Sequence, residues 1–423
     1  MARVVLPFGA ASLAFDIPDG NLLGVYSPRA VAPVADLDGA IRGALASPLG
    51  QPPLAAWVRR TDRVLILADD NTRSTPVDRI VPVLLGQLNA AGVKDDRVSC
   101  LVALGTHRYL SEPEMRRKLG ADVCRRIRVF NHEWQDPTQL VSLGCSSRGT
   151  PIRVNRAAVE ADVVIGIGSV VPHHIPGFSG GGKIVQPGIC GAETTAATHM
   201  LSCGGGGDSL LGRAENPVRS DMEEIADRVG MRTVCNVVTS PQGEVAGVFF
   251  GRRGDAFARA VDLARAVYAF SYPRDPDIVI AGACPCELDF WQSHKALYPA
   301  QRMVRPGGTI VLCTPAPEGV SPVHAGVLEY ASRSSQRLRE AYAAGRLKDG
   351  VAAALAVAWA MVREKAGIIT CSPGIPPDDK ARLGHTHAPD IAWAVQEAFR
   401  RQGGEARVAV LTHAPEMLPV RDA

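Results

Sequence analysis

Short apolar runs alternate with helical spacings along most of this chain, and few architectures accept that alternation. Arg63–Ala68, Arg97–Ala103 and Ala161–Ile167 read as strands, and Val77–Ala91 between the first two has the 3–4 spacing of a helix. Before them lie short extended segments up to about Val31 and a Pro- and Ala-rich connection through Pro53. A second series starts after Ser271–Pro276, whose two prolines and polar residues suit a linker. It contains strand candidates at Asp277–Ala281, Thr309–Cys313, Ile368–Cys371 and Arg407–Leu411, with helical stretches at Val351–Lys365 and Asp390–Arg401. The expectation is an α/β protein: two doubly wound α/β domains with mainly parallel sheets and a cleft between them. The expected division is 1–270, 275–410, and a 411–423 tail for which a return to the first domain is one route.

Charge and length narrow the partners. With 46 basic and 43 acidic residues interspersed over 423 positions, the net charge is +3, so no field is built for nucleic acid or an anionic membrane. No run approaches the ~20 apolar residues of a membrane span. Asp16 and Asp19 arrive before any signal-length apolar stretch, so a soluble, cytoplasmic protein acting on a small molecule is expected. Apart from Cys284-Pro285-Cys286 the ten cysteines are scattered, without zinc-ribbon spacing.

One segment concentrates chemistry. Pro172-His173-His174-Ile175-Pro176-Gly177-Phe178-Ser179-Gly180-Gly181-Gly182-Lys183 places two imidazoles beside a glycine turn tipped by one amine; Gln186-Pro187-Gly188 and His199 follow. Glycines let backbone approach a ligand closely, so Gly180, Gly181 and Gly182 suggest a bound phosphate or planar ring. Gly177-x4-Gly182-Lys183 has the form of a phosphate loop, but Ile184 stands where that loop needs Ser or Thr for magnesium. A strand ending in a glycine turn for geometric reasons alone is the plain alternative. At this level a nucleotide-dependent phosphotransferase and a structural turn both stay open, and a hydrogen-bonded structural role suits each histidine taken singly.

The order His173, Gly177-Phe178-Ser179-Gly180-Gly181, Lys183, Pro187-Gly188, His199 resembles the nickel-pincer-nucleotide lactate racemases and their 2-hydroxyacid racemase and epimerase relatives. Asp69-Asp70-Asn71-Thr72-Arg73, Gly105-Thr106-His107-Arg108 and Trp291-Gln292-Ser293-His294-Lys295 resemble three further elements of that family, in family order. The resemblance implies an isomerase using a pyridinium-3-thioamide-5-thiocarboxylic acid mononucleotide with Ni(II), made and loaded by cofactor-biosynthesis enzymes. Lys183 would carry the covalent link, Gly180 to Gly182 would lie against the cofactor, and His199 would be the nickel ligand, for which imidazole is well suited.

The chemistry behind the resemblance is plausible for these side chains. The C2 proton of a 2-hydroxyacid is weakly acidic; taking that hydrogen as hydride while a base takes the hydroxyl proton avoids a carbanion, and no side chain accepts hydride. His107 and His173 are the implied acid/base pair. Arg73 and Lys295 would bind the carboxylate, with Asp70, Trp291 and Gln292 beside them. If 289–303 is helical, Trp291 and Gln292 share a face with Lys295. His174 receives no role. Trp291 stands where the lactate racemases carry Tyr, so a 2-hydroxyacid other than lactate is expected. Two rivals stay open: the phosphotransferase, and a non-catalytic nickel- or nucleotide-binding protein of the same fold.

Overall fold

The computed structural model describes residues 1–204, 209–240 and 242–422. Its first sheet has six strands in the spatial order Val245–Arg252, Thr233–Thr239, Val163–Ser169, Val64–Asp69, Val98–Ala103, Arg128–Asn131. All neighbours are parallel except the edge strand Val245–Arg252, which runs antiparallel to Thr233–Thr239. The chain begins this sheet in the middle, winds outward through Val98–Ala103 and Arg128–Asn131, then returns to the other side. The winding therefore reverses between Val64–Asp69 and Val163–Ser169, the place where open α/β sheets leave a crevice.

Burial on both faces explains why the central strand is uninterruptedly apolar. Ile66 and Ala68 pack with Ile80, Leu84 and Leu88 on one side, while Leu65 and Leu67 pack with Ile184, Ile189 and Ile225 on the other. Helix Val77–Ala90 supplies the first set through a buried stripe of Val77, Ile80, Val81, Leu84, Leu85 and Leu88, the spacing of one helical face.

The second sheet is wholly parallel, ordered Thr386–Ala388, Gly367–Cys371, Thr309–Cys313, Ile278–Gly282, Val408–Leu411, Leu22–Tyr26. Its winding reverses between Ile278–Gly282 and Val408–Leu411. Helix Gly350–Lys365 is buried along most of its length, and its Val351, Ala352 and Leu355 share one apolar cluster with Ala196 and Cys203 from the first half of the chain. That cluster joins the two sheets' units.

The assignment of the first residues to the 1–270 domain needs correction. Leu22–Tyr26 is the edge strand of the second sheet, and the hairpin Ala2–Phe8/Ala11–Ile17 buries Val4, Leu6, Phe15 and Ile17 against Ile278, Ile280, Val311 and Val410. A two-stranded hairpin with one alternating apolar face is marginal alone and takes the nearest sheet face that covers it. At the other end, Leu418–Arg421 pairs in parallel with Ala269–Tyr272, and Leu418 packs with Val170, Phe178 and Val238.

Two core histidines give a pH prediction. His132 is fully enclosed, with Nε2 3.0 Å from the Cys190 carbonyl and Nδ1 3.1 Å from the Asn155 amide nitrogen; burial pushes its pKa down to about 4. Burial, then the nearby Arg363 charge, holds His385 down to about 3. An unfolded histidine takes a proton near ~6.5, so below that pH the unfolded chain binds protons the folded chain refuses. Stability present above pH ~6.5 is thus lost as pH falls, with a slope of up to about 1.4 kcal/mol per pH unit for each such histidine. Urea unfolding at pH 7 and pH 5 should show a lower midpoint at pH 5, with a smaller loss in His132→Gln; an equal loss in both proteins would contradict this assignment.

Candidate active site

Because the inner strands of each sheet are parallel, their C-terminal ends deliver successive loops to one edge, and the chemistry collects where the windings reverse. Asp70 and Arg73 follow Val64–Asp69, His107 follows Val98–Ala103, and His173 to Lys183 follow Val163–Ser169. From the other unit, Trp291, Gln292 and Lys295 follow Ile278–Gly282. A cleft is lined from the first side by Asp70, Arg73, His107, His173, Lys183 and His199, and from the second by Trp291 and Lys295. Residues from positions 70 to 295 thus face one cavity, apolar and polar groups converging on it as in a ligand pocket.

A hydrogen-bond chain crosses this cleft. Asp70, only 4% exposed, sits with Oδ2 2.7 Å from His107 Nδ1, while its Oδ1 accepts from the Thr72 amide at 3.1 Å and the Thr72 hydroxyl at 2.5 Å. On the far side of the imidazole, Gln292 Nε2 lies 3.2 Å from His107 Nε2, and Lys295 donates to Gln292 Oε1. Burial disfavours the Asp70 charge, but the His107 imidazole, Arg73 and the Thr72 hydroxyl outweigh it and hold the carboxyl well below its ordinary range. Burial lowers the His107 pKa, against the pull of Asp70 and with the help of Lys295 and Arg73. A neutral His107 with its proton on Nδ1 satisfies both neighbours: it donates to Asp70 and accepts from Gln292.

Gln292 and Lys295 meet because the 289–303 segment is not one regular helix. It runs as a helix at Phe290–Ser293, a tighter 3-10 turn at His294–Ala296, and a helix at Leu297–Met303. Residues three apart stack more closely in the 3-10 turn, which brings Lys295 over Gln292. Trp291 does not hydrogen-bond across the cleft; its indole stacks on His324, with centroids 4.2 Å apart and planes at 15°.

His173 is set the other way round from His107. Its Nδ1 accepts the Ile175 amide at 3.2 Å, so the neutral ring carries its proton on Nε2. Burial, then Lys183 and His174, drive its pKa well below the ordinary value. His174, given no role from the sequence, stacks between His173 at 4.7 Å and Tyr298 at 3.8 Å and also lines the cleft.

Lys183 and His199 face the same cavity with free valence. Lys183 donates to no described residue, and burial together with the Arg73, Lys295 and Arg219 charges pushes its amine well below the ordinary lysine range. The His199 Nδ1, on helix Ala192–Ser202, is buried with no hydrogen-bond partner, and burial then Lys183 hold the ring down to about 3. Arg73 spends one nitrogen on Thr72, and among the described residues neither Arg73 nor Lys295 has a carboxylate within ion-pair distance. Burial and then Arg73 lower Lys295 to about 8.

The glycine turn differs from expectation. Gly180 lines the cleft, but Gly181 and Gly182 turn away from it. The Gly181 amide donates to Asn236 Oδ1 at 3.2 Å and the Gly182 amide to Glu223 Oε1 at 2.8 Å, so neither is left to cradle a phosphate. A Cβ on Gly182 would lie 2.9 Å from the Met222 carbonyl, and one on Gly181 would lie 2.9 Å from the Glu223 carboxylate. Close packing on helix Pro217–Arg228 needs these glycines, rather than the approach of a ligand. The same helix offers Arg219, which donates to the carbonyls of Gly180 at 2.9 Å and of Phe178. With Ile184 in place of Ser or Thr, the turn lacks both features of a phosphate loop.

Asn236, Arg219, Glu223, His324 and Glu416 were not foreseen. None belongs to a motif, and their neighbours in sequence carry no signal of a site. Glu416 follows the end of Val408–Leu411, is 8% exposed, and faces Arg73 and Lys295; burial, against those two charges, raises its pKa to about 7.

Residues 8–208 match the family described as the lactate racemase N-terminal domain. The chain is 27% identical over 422 residues to the lactate racemase of Lactiplantibacillus plantarum, covering 97% of this chain and 98% of that protein. It is 26% identical over 324 residues to the lactate racemase of Thermoanaerobacterium thermosaccharolyticum, covering 75% and 76%. The fold is similar to that of the T. thermosaccharolyticum lactate racemase apoprotein, with a TM-score of 0.88 at 22% identity over 99% of this chain and 100% of the other. A Thermotoga maritima protein aligns with a TM-score of 0.74 at 22% identity, covering 91% and 98%.

The paired ring nitrogens of His107 give a direct test of the site's electrostatics. In Asp70→Asn the carboxylate that holds the Nδ1 proton is gone, so ¹⁵N chemical shifts should move from an Nδ1–H tautomer in the wild type toward Nε2–H in the variant. Identical shifts in the two proteins would show that Asp70 does not set the tautomer.

Proposed function

We propose that this chain, a member of the lactate racemase family, is an isomerase that inverts C2 of a 2-hydroxyacid. The observation that supports the reading best is the pair His107 and His173, brought into one cleft in complementary tautomers beside the unpaired cations Arg73 and Lys295. Arg73 offers a two-pronged donor and Lys295 a compact charge to the substrate carboxylate. His107 presents an Nε2 lone pair that a substrate hydroxyl would take over from Gln292. As the hydroxyl proton transfers to Nε2, Asp70 stabilises the imidazolium that forms, the role a buried carboxylate plays behind a catalytic histidine. His173 offers its Nε2–H to an oxygen. Two histidines from different loops, rather than one, place an imidazole at the oxygen of either enantiomer, His107 as the proton acceptor and His173 as a hydrogen-bond donor.

The donor set also suits a nickel-pincer nucleotide. A buried lysine amine whose surroundings disfavour its charge is a good acceptor of a covalent tether, and a buried imidazole nitrogen with no partner is a ready nickel ligand. In this reading Lys183 would hold the cofactor covalently, His199 would ligate Ni(II), and Gly180 alone of the three glycines would line its site. When bound, the group supplies the hydride acceptor that side chains lack. Loading would fall to cofactor-biosynthesis enzymes in the cytoplasm; no helix of the described residues is long and apolar enough to cross a membrane. The proposed substrate is a 2-hydroxyacid other than lactate, since Trp291 brings bulk and no hydroxyl to a position where the lactate racemases carry Tyr.

Intact mass and nickel content test the cofactor assignment. Protein from a host expressing the cofactor-building enzymes should carry an adduct and nickel, and Lys183→Ala should carry neither; unmodified wild type beside a loaded known racemase from the same host would overturn the assignment. With loaded enzyme, His107→Asn and His173→Asn should each lower kcat for racemisation by on the order of 10²- to 10⁴-fold. Full turnover in either variant would remove that histidine from the mechanism. Lactate as clearly the best substrate in a panel of 2-hydroxyacids would refute the substrate reading.

A further inference from the structure

We infer that a small pocket walled by Glu416, Cys286, Leu211 and Pro415 receives the substrate's side chain and selects 2-hydroxyacids bearing a neutral hydroxyl at C3 or C4; the inference rests on the racemase reading. The pocket adjoins the main cleft, with Thr72, Arg73, His173, His174 and Lys295 forming the wall between them. A substrate whose carboxylate meets Arg73 and Lys295, and whose C2 hydroxyl meets a histidine, has its third substituent within reach of the cavity these same residues share.

The lining decides the chemistry. Glu416 is more than nine-tenths buried, lines the pocket, and its carboxyl makes no hydrogen bond to any described residue. A buried polar group without a partner is costly, and a ligand supplying that partner removes the cost. The turn that carries it, Ala414–Glu416, is pinned by Ala414 and Met417, both fully buried in the cluster shared by the two units. The carboxyl is therefore held at the pocket rather than free to swing into solvent.

Four kinds of side chain can be compared. An alkyl group would leave Glu416 unpartnered. A second carboxylate would meet another acid, and an ammonium would meet Arg73 and Lys295. A neutral hydroxyl both donates to a carboxylate and accepts from a carboxylic acid, so it fits Glu416 in either form. Burial holds that group near neutrality, with its pKa raised to about 7 against the pull of Arg73 and Lys295, so both forms occur under ordinary conditions. Leu211 and Pro415 close the remaining wall with apolar surface.

Nickel-loaded enzyme would be assayed on two matched pairs of acids in which one hydroxyl replaces one methyl: glycerate against 2-hydroxybutyrate, and 2,4-dihydroxybutyrate against 2-hydroxypentanoate. In the wild type, kcat/KM should favour the hydroxylated member of at least one pair by on the order of 10- to 100-fold, the discrimination one buried hydrogen bond to an ionisable group provides. Glu416→Leu should bring that ratio to about one, and Glu416→Gln, which keeps a donor and an acceptor, should retain part of it. Because the readout is a ratio of two substrates on one sample, incomplete folding or loading of a variant cancels. Turnover with no preference in either pair, or a preference unchanged in Glu416→Leu, would overturn the assignment of the pocket while leaving the racemase reading standing. A nickel-loaded wild type that inverts none of these acids, nor any other 2-hydroxyacid, would overturn both.

Discussion

Three basic side chains, Arg73, Lys183 and Lys295, share one cleft with no carboxylate at ion-pair distance among the described residues, and the rest of the site is organised around that imbalance. Elsewhere several buried charges are paired: Lys118 lies 3.0 Å from Asp69, Arg219 3.0 Å from Glu223, and Arg253 2.5 Å from Glu223. In the cleft, burial and then the Arg73 charge lower the proton affinity of both Lys183 and Lys295, and Lys295 lowers that of Lys183 further. Asp70, the carboxylate among them, is committed to His107. Unpaired buried charge is expensive, and its persistence in one place points to anionic ligands that complete the balance. A nucleotide phosphate and a hydroxyacid carboxylate are two such groups.

That arrangement depends on keeping the two units in register. Beyond the His107–Gln292 bond, His324 Nε2 lies 3.1 Å from the Thr106 carbonyl while its Nδ1 is 2.6 Å from Asp349. Arg108 bridges Glu114 on its own side to Glu318 on the other, at 2.8 and 3.1 Å. The His324 ring is also layered between Trp291 and Trp134, so an aromatic stack crosses where the hydrogen bonds do. Thr106, His107 and Arg108 are consecutive, and each has a partner in the other unit. The motif thus supplies the cleft imidazole of His107 and also two of the contacts that hold the cleft walls together.

Behind the cleft, the turn before Lys183 is held from its rear by Arg219, Glu223 and Asn236. Glu223 joins the Gly182 amide, Arg219 and Arg253 at once, which ties the turn to two helices. The Lys183 amine is therefore presented from backbone with little freedom to retreat, a condition a covalent tether benefits from. The glycines of this turn secure the packing that makes such rear support feasible.

Much of the framework was legible in the chain itself. Helix Val77–Ala90, strand Thr309–Cys313 and helix Gly350–Lys365 follow from hydrophobic period and length, which depend on residues adjacent in sequence. The order of the four reactive motifs was equally visible, and it singled out the residues that meet in the cleft. Four things were decided only by tertiary structure: the transfer of Ala2–Tyr26 to the second sheet, the rearward role of Gly181 and Gly182, the opposite tautomers of His107 and His173, and the appearance of Glu416 beside Arg73 and Lys295. Each depends on atoms brought together from distant positions, as with Gln292 and His107, 185 residues apart, or His324 and Thr106, 218 apart. Sequence determines which side chains are available and the period in which they are offered; burial, partners and charge are properties of the neighbourhood that the fold assembles around them.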